Sequence, residues 1–505
     1  KQNKERQNRR SRFLAMLDGI ERVGNALPHP ATIFAILAVA VAVLSWVAHL
    51  AGWSAIHPTE KTVITPFNML SGDGVRYMYV NVTKNFILFP PFGIVLVAIV
   101  GIGVAEGTGL IEALIKQSIV RAPKKLVTAI VIAAGILSHL ASSVGYVVLI
   151  PLGAMVFIAF KRHPIAGISA AFVGVSGGFG ANFLIGSIDP ILAGLSESAA
   201  HMINPALSVN PAVNYYFMVA SALLIVLVGT WVTEKIVEPR LGPYREVTEE
   251  IKELSPREKR GLKFALVAVG GVVLLFLLLV NPSNGVFHGE GSVLKGPFFK
   301  GLITGILIFF FIPGFVYGVA VGTIKNDRDV IALIIKAMKG IAPYIVLVFF
   351  AAQFVYWFKE SNLGIILAIK GAQVIKSSGV SGVVLIILFI LFSAALNMFM
   401  GSASAKWAIM APVFVPMFML SGYHPALTQA AFRIGDSVTN IITPMMSYFA
   451  LILTYVHKYD EKAGIGTMIA TMRPYTIFLS LAWTLLMVVW YLLGIPLGPG
   501  GPLRM

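Results

Sequence analysis

The stretch GSASAKW, residues 401–407, interrupts an apolar run that extends from about residue 380 to about residue 420. It places two serines, a lysine and a tryptophan where the flanking residues are almost all apolar. A run of this length is too long for a single helical crossing, which takes about 20 residues to span ~30 Å of hydrocarbon. The polar residues in its middle therefore predict a re-entrant hairpin that enters the membrane and returns to its own side.

A second stretch of the chain matches this one. The segment SSVGYVVLIPLGAMVFIAFKRHP at 142–164 aligns without a gap to ASAKWAIMAPVFVPMFMLSGYHP at 403–425. The matched pairs are Ser143 with Ser404, Tyr146 with Trp407, Pro151 with Pro412, and His163-Pro164 with His424-Pro425. Because polar, aromatic and proline residues coincide in order, the sequence predicts an internal duplication with hairpins at about 126–160 and 380–420.

Composition identifies the class of protein. Hydrophobic residues make up 57% of the 505 and charged residues 12%, whereas soluble domains are about 45–50% apolar and about 25% charged. The sequence therefore predicts an all-α integral membrane protein, since helices satisfy their own backbone hydrogen bonds in lipid. The net charge of +16 is concentrated in short loops, so the lipid bilayer, not nucleic acid, is the expected partner.

Hydropathy predicts nine transmembrane helices in addition to the two hairpins. The predicted spans are 31–52, 86–105, 164–195, 215–237, 264–281, 299–322, 340–358, 426–455 and 474–494. The predicted divisions are an amino-terminal segment (1–30), repeat 1 (31–238), a linker (239–263), a connecting helix (264–281), repeat 2 (299–495) and a tail (496–505). Five crossings separate equivalent points of the repeats, so the second should be inverted, as in many secondary transporters.

Loop charges predict the orientation. Lysine and arginine cluster in the loops near 116–125, 235–263, 325–339 and 457–473, whereas the loop 196–214 has neither. By the positive-inside rule, the basic loops and the amino terminus lie in the cytoplasm, and the carboxyl-terminal tail lies outside. We therefore expect a multi-pass protein of the inner, cytoplasmic membrane.

Each hairpin is followed by a span that is predicted to break at membrane depth. The first break is GVSGGFGANFLIGSIDP (174–190) and the second is RIGDSVTNIITP (433–444). Glycine and proline weaken a helix, and a charged residue at this depth is a functional candidate because its burial costs several kcal/mol. The alternative is that Arg433 and Asp436, three residues apart, merely neutralise each other on one helix face.

The motifs GSASAKWAIMAPVFVPM, YHPALTQAAFRIGDSVTNIITPM and SSVGYVVLIPLGAMVF resemble the p-aminobenzoyl-glutamate transporter (AbgT) family of the ion-transporter superfamily, over about residues 14 to 495. The resemblance implies nine transmembrane helices, two re-entrant hairpins and a homodimer in which each subunit has its own pathway. It also implies transport of p-aminobenzoyl-glutamate and p-aminobenzoate, and export of sulfonamide antimetabolites driven by the proton gradient. The family positions tied to transport are Asp189, Ser404, Trp407, Pro425, Arg433 and Asp436, and Asn397 with Asp436 resembles a sodium site.

The expected roles follow from side-chain chemistry. We expect Trp407 to stack on an aryl ring and Arg433 to hold a carboxylate by two hydrogen bonds, with Ser404 and Lys406 completing the polar wall of a substrate site near the midplane. Pro425 and Asp189 are further substrate-site candidates. The candidates for proton or cation coupling are Asp436, Asn397, Asp189, Asn440, Thr439, Asn182 and Ser143. Apart from sodium at Asn397 and Asp436, no cofactor is expected.

Three other functions remain open at this point. A sodium-coupled importer of small carboxylates would share the same architecture, and a channel would differ by conducting faster than a carrier can turn over. The tetrapeptide Gly174-Val175-Ser176-Gly177 matches the short element around the nucleophile of intramembrane serine proteases. That enzyme would require a histidine facing Ser176. HExxH and Walker A motifs and cysteines are absent from the sequence, so metalloprotease, ATP-driven pump and thiol chemistry are not expected.

Overall fold

The computed structural model describes most of the chain. The described residues are 28–56, 62–120, 123–140, 145–244, 254–280, 285–288, 296–380, 382–443, 446 and 448–505. They are mainly helical, with a short antiparallel ribbon in which Ala55–Ile56 (β1) pairs with Val63–Ile64 (β2). The all-α membrane fold expected from composition is confirmed.

The described residues of the first half form nine principal helices. They are α1 (Pro30–Leu50), α2 (Gly72–Ile87), α3 (Pro90–Gly107), α4 (Leu110–Val120), α5 (Val127–Leu137), α6 (Ile150–Ala159), α7 (Pro164–Phe172), α8 (Ile188–Ala200) and α9 (Tyr215–Val232). Short π-helical turns, Gly145–Leu149, Val173–Gly177 and Thr233–Val237, adjoin three of them. Three further helices lead to the second half: α10 (Glu238–Leu241), α11 (Pro256–Val280) and α12 (Pro297–Lys300).

The described residues of the second half also form nine helices. It consists of α13 (Leu302–Val321), α14 (Asp327–Gly340), α15 (Ala342–Glu360), α16 (Leu363–Ser377), α17 (Val383–Asn397), α18 (Ala403–Leu420), α19 (Pro425–Asn440), α20 (Phe449–His457) and α21 (Ile465–Leu493). Packing crosses between the halves, because α3 lies along α13 and α15 lies along α1. The internal duplication, the repeat boundaries and the inversion of the repeats in the bilayer stay predictions.

Eight stretches of helix in the described part of the chain are long and apolar enough to cross a membrane. Seven coincide with predicted spans, and the eighth is the hairpin arm Ala403–Leu420. The predicted spans 164–195 and 426–455 each consist of two shorter helices. The count of nine crossings and two hairpins therefore stays a prediction.

The two broken spans differ from each other. In the first, the chain leaves regular helix at Gly178 and resumes it at Ile188, inside the predicted break at 174–190. In the second, α19 continues unbroken to Asn440, so the break expected at 433–444 begins later than predicted. No proline occurs there before Pro444, and Gly435 packs against the backbone of α17 without interrupting the helix. The polar residues of this segment therefore project from the last two turns of an intact helix.

The connecting helix begins earlier than expected. Hydropathy placed its start at residue 264, but α11 begins at Pro256. The Glu258 amide donates to Ser255 Oγ over 3.2 Å, and the Ser255 amide donates to Glu258 Oε2 over 2.7 Å. This reciprocal cap supports a polar first turn that hydropathy cannot detect. Residues 245–253 of the predicted linker lie outside the described residues.

The contact between α3 and α13 leaves no space for a side chain at Gly101. A Cβ atom there would lie 2.7 Å from the Leu307 Cα atom. We expect Gly101→Ala to destabilise the protein by roughly 1–3 kcal/mol, the usual cost of overpacking. Thermal unfolding in detergent, followed by tryptophan fluorescence, measures the change.

Gly271 on α11 is the matched control, because a Cβ atom there meets nothing within 4 Å. Gly271→Ala should unfold at or slightly above the wild-type temperature, since alanine favours helix over glycine. Equal unfolding temperatures for the Gly101→Ala variant and the wild type would contradict the close packing of α3 on α13.

Candidate functional site

Two buried ion pairs involve helix α19. Arg433 Nη2 is 2.6 Å from Asp189 Oδ1, and these side chains are 2% and 1% exposed. Lys406 Nζ is 2.5 Å from Asp436 Oδ1, and both side chains are 2% exposed. Each buried ion costs several kcal/mol in lost hydration unless a partner and further hydrogen bonds compensate it. The two pairs cancel in formal charge, which makes this concentration of charge tolerable at depth.

The first pair joins the two halves. Asp189 lies in the first turn of α8, after the broken segment of the first half. Its second oxygen, Oδ2, accepts a 2.6 Å hydrogen bond from the Gly186 amide. The positive end of a helix dipole also favours a carboxylate at this position. The nearby Asn182 Oδ1 accepts from the Phe183 amide over 2.8 Å, which stabilises the same loop.

The broken segment of the first half crosses directly over α19. The Gly180 amide donates to Ser437 Oγ over 2.7 Å. A Cβ atom on residue 180 would lie 2.7 Å from the Arg433 carbonyl oxygen and 2.6 Å from Ser437 Oγ. Only glycine therefore permits this crossing, and the crossing brings Asp189 to Arg433.

The second pair belongs to a polar cluster within the second half. Lys406, in the first turn of α18, also donates from Nζ to Asn397 Oδ1 at the end of α17. Asn397 Nδ2 lies 2.7 Å from the Asp436 carbonyl oxygen and 2.9 Å from both Thr439 Oγ1 and Asn440 Oδ1. The structure thus brings together four predicted coupling residues, and it adds Lys406 to them. We call these five residues the α19 polar cluster.

Arg433 and Asp436 do not pair with each other, as the alternative of mutual neutralisation on one helix face would require. Arg433 pairs with Asp189 on α8, and Asp436 pairs with Lys406 on α18. The two charged side chains of α19 therefore form ion pairs with different helices.

Trp407 is fully buried in this conformation. Its indole Nε1 donates to Ser196 Oγ over 3.0 Å and lies 3.2 Å from the Leu192 carbonyl oxygen. Its ring packs on Phe432 with centroids 4.6 Å apart. Ser196 Oγ also bonds Gln429 Oε1 over 2.7 Å. An aryl substrate can stack on this indole only after α18 or α19 has moved.

The remaining predicted residues are dispersed. Ser404 Oγ lies 3.3 Å from Ser402 Oγ at the start of α18. Pro425 begins α19, and at 1.5 Å per residue it lies about 12 Å along the axis from Arg433. The structure therefore does not bring Pro425 into either ion-pair site. Ser143 lies outside the described residues.

Two polar cavities lie away from the buried charges. The larger has a volume of about 650 Å³ and is lined by Glu106, Glu112, Lys336 and Tyr448, among others. The smaller has a volume of about 240 Å³ and is lined by residues that include Lys84, Tyr356 and Glu360. Glu106 ends α3 and Glu360 ends α15, and the predicted duplication places these two helices in equivalent positions.

A stacked tyrosine pair lies on the line of contacts from the larger cavity to the α19 polar cluster. Tyr448 lines the cavity and stacks on Tyr146, with centroids 4.2 Å apart and planes 9° from parallel. The Tyr146 hydroxyl is 2.9 Å from Ser176 Oγ, and Asn440 Nδ2 is 3.5 Å from the Ser176 carbonyl oxygen. Sequence analysis missed Tyr448, because a tyrosine beside a predicted break carries no distinguishing pattern.

Comparison with known proteins gives consistent matches over nearly the whole chain. Residues 15–505 match a family model described as "AbgT putative transporter family". The p-aminobenzoyl-glutamate transport protein of Escherichia coli (strain K12) is 38% identical over 488 residues, 95% of each chain.

Two solved structures have the same fold. The Alcanivorax borkumensis YdaH transporter, whose structure was reported to reveal an unusual topology, is 42% identical with a TM-score of 0.89, over 93% of this chain and 100% of its own. Neisseria gonorrhoeae MtrF, reported to illuminate a class of antimetabolite efflux pumps, is 44% identical with a TM-score of 0.91. The match covers 96% of this chain and 100% of that one.

Removal of one member of the Asp189–Arg433 pair should, in at least one of the two single variants, be more harmful than removal of both. Asp189→Ala leaves a buried guanidinium, and Arg433→Ala leaves a buried carboxylate, at a cost of about 3–5 kcal/mol each. The double variant leaves neither charge, so it should be more stable than at least one of the single variants. Thermal unfolding of the three variants in detergent measures the coupling. Strictly additive losses would show that the pair does not form.

Proposed function

The chain belongs to the AbgT family of membrane transporters, and from this premise we propose that it is a proton-coupled secondary transporter of p-aminobenzoyl-glutamate, p-aminobenzoate and sulfonamide antimetabolites. The observation that carries the proposal is the buried Asp189–Arg433 pair between the halves of the chain. The family consists of transporters, so the serine protease alternative fails. Consistent with this, the Ser176 hydroxyl contacts Tyr146 and Met446.

Substrate recognition is proposed to take place at Arg433. The Escherichia coli relative is a p-aminobenzoyl-glutamate transport protein, and that solute carries carboxylates beside an aryl ring. A guanidinium presents a planar set of donors that fits a carboxylate with two parallel hydrogen bonds. Arg433 already holds one carboxylate, that of Asp189. A substrate acid group would therefore compete with Asp189 for the same donors.

This competition provides a route for proton coupling. Protonation of Asp189 removes its negative charge and weakens its hold on Arg433, so a substrate carboxylate binds best when Asp189 is protonated. That solute and the proton then move in the same direction. A sulfonamide N–H or aryl amine would instead donate to the charged Asp189 carboxylate and would compete with the proton. That solute and the proton then move in opposite directions. Such antiport is what export of a sulfonamide driven by inward proton flow requires.

The burial of the proposed substrate site implies alternating access. Trp407 is 0% exposed and Arg433 is 2% exposed, so solute reaches them only when the structure opens. The two polar cavities, one at the end of α3 and one at the end of α15, are the proposed entrances. Opening of the larger one requires separation of Tyr146 from Tyr448. A bound solute shifts this equilibrium only by its difference in affinity for the two states.

The cellular setting follows from the loop charges and from the family. We propose a multi-pass protein of the inner membrane with a cytoplasmic amino terminus. We also propose a homodimer in which each subunit transports independently. Helix α11 is available for such packing, since many of its side chains, Val267 and Leu278 among them, are exposed within one subunit. Sodium-coupled import of small carboxylates is the rival function, and it predicts a response to a sodium gradient.

Proteoliposomes with an imposed pH gradient test the proposal. An acidic exterior should drive uptake of labelled p-aminobenzoyl-glutamate, whereas an acidic interior should drive uptake of a labelled sulfonamide. Asp189→Asn should lose both responses, because an amide cannot carry the proton, while counterflow of p-aminobenzoyl-glutamate persists. Asp73→Asn is the control, since Asp73 forms an exposed pair with Arg76 and should respond as the wild type. A response of the wild type to sodium gradients alone would contradict proton coupling.

A further inference from the structure

Asn397 and Asp436, the residues that resemble a sodium site in sequence, enclose a different cation in the structure. The Lys406 ammonium group lies 2.5 Å from Asp436 Oδ1 and donates a hydrogen bond to Asn397 Oδ1. Both oxygens belong to the residues whose sequence resembles a sodium site. All three side chains are nearly inaccessible to solvent, so no water shell separates the ammonium group from the oxygens.

A sodium ion does not fit this arrangement. A second positive charge beside the ammonium group would be repelled strongly in a site that excludes water. The other oxygens close by, the Asp436 carbonyl, Thr439 Oγ1 and Asn440 Oδ1, lie within hydrogen-bond distance of Asn397 Nδ2. The amide group of Asn397 is thus oriented by four contacts, with its oxygen directed at Lys406. The charge of Asp436 is thus already paired within the chain, and the side-chain oxygen of Asn397 already accepts from the same ammonium group.

We propose that the Lys406 ammonium group is a tethered cation that takes the place of a sodium ion between Asn397 and Asp436. The site of this chain is therefore closed to sodium, and removal of the amine opens it. Lys406 lies in the first turn of α18, whereas its partners lie on α17 and α19. The tethered cation thus joins the two arms of the second hairpin to α19 without any ion from solution.

This inference rests on the proposed function and deepens it, because it excludes sodium as the coupling ion. Its test measures sodium binding and does not depend on transport. A lysine is attached to the backbone and cannot leave the site as a free ion does. The Asp189–Arg433 pair, on a different set of elements, then remains as the site where solute and proton exchange. The two ion pairs of α19 accordingly have separate roles. The Lys406–Asp436 pair is structural, and the Asp189–Arg433 pair exchanges with solute and proton.

Equilibrium binding of ²²Na⁺ to the purified full-length protein tests the inference. The variant Lys406→Met keeps an unbranched side chain but removes the charge, and it should bind sodium at least about tenfold more tightly than the wild type. The double variant Lys406→Met with Asp436→Asn should lose this binding, because the site then lacks its anion. Lys376→Met, at an exposed lysine on α16, is the control and should behave as the wild type.

Two results would overturn the inference. The first is saturable, stoichiometric sodium binding by the wild type, which needs no variant to fold. The second is the absence of any gain in sodium affinity in both Lys406→Met and Lys406→Gln, when thermal unfolding shows that either is folded. Failure of the proposed function is distinct, since a wild type that neither binds sodium nor transports would contradict only the transport proposal.

Discussion

The ion pair between Asp189 and Arg433 is the interaction on which the centre of this protein depends. It joins the broken segment of the first half to α19 of the second, and both side chains are almost fully buried. Such a pair persists only if the charges remain together, because either one alone would have lost its hydration without compensation. The close crossing at Gly180 brings the two elements into position, and the Gly186 amide holds the second carboxylate oxygen. The same contact therefore determines how the halves meet and where an acidic solute can bind.

The two charges of α19 contact different neighbouring helices, although they lie three residues apart on one side of the helix. Arg433 meets α8, and Asp436 meets Lys406 on α18. The adjacent residues Lys406 and Trp407 are separated in the same way, so the ammonium group enters the α19 polar cluster while the indole packs on Phe432 and Ser196. In our account, the Asp189–Arg433 pair exchanges with solute, and the Lys406 pair stays closed.

Much of the architecture could be predicted from sequence because hydropathy and repeats are properties of contiguous segments. The helical arms of both predicted hairpins and the break after Gly178 lie where they were expected. Partners could not be predicted, since Asp189 and Arg433 are 244 residues apart and no local pattern pairs them. Lys406 is predicted to line the substrate wall, but in the structure its ammonium group contacts Asn397 and Asp436. The second break is predicted too early because the polar residues at 433–440 resemble a helix interruption, whereas α19 runs unbroken through Gly435 to Asn440.

The claim that a solute carboxylate replaces Asp189 at Arg433 is tested most directly by an experimental structure with bound p-aminobenzoyl-glutamate. Cryo-electron microscopy of the protein in lipid nanodiscs at mildly acidic pH would show both side chains and the ligand. The account predicts a ligand carboxylate within hydrogen-bond distance of the Arg433 guanidinium, with the Asp189 carboxyl group moved away from its present 2.6 Å contact. An intact Asp189–Arg433 pair, with the ligand bound elsewhere, would contradict it.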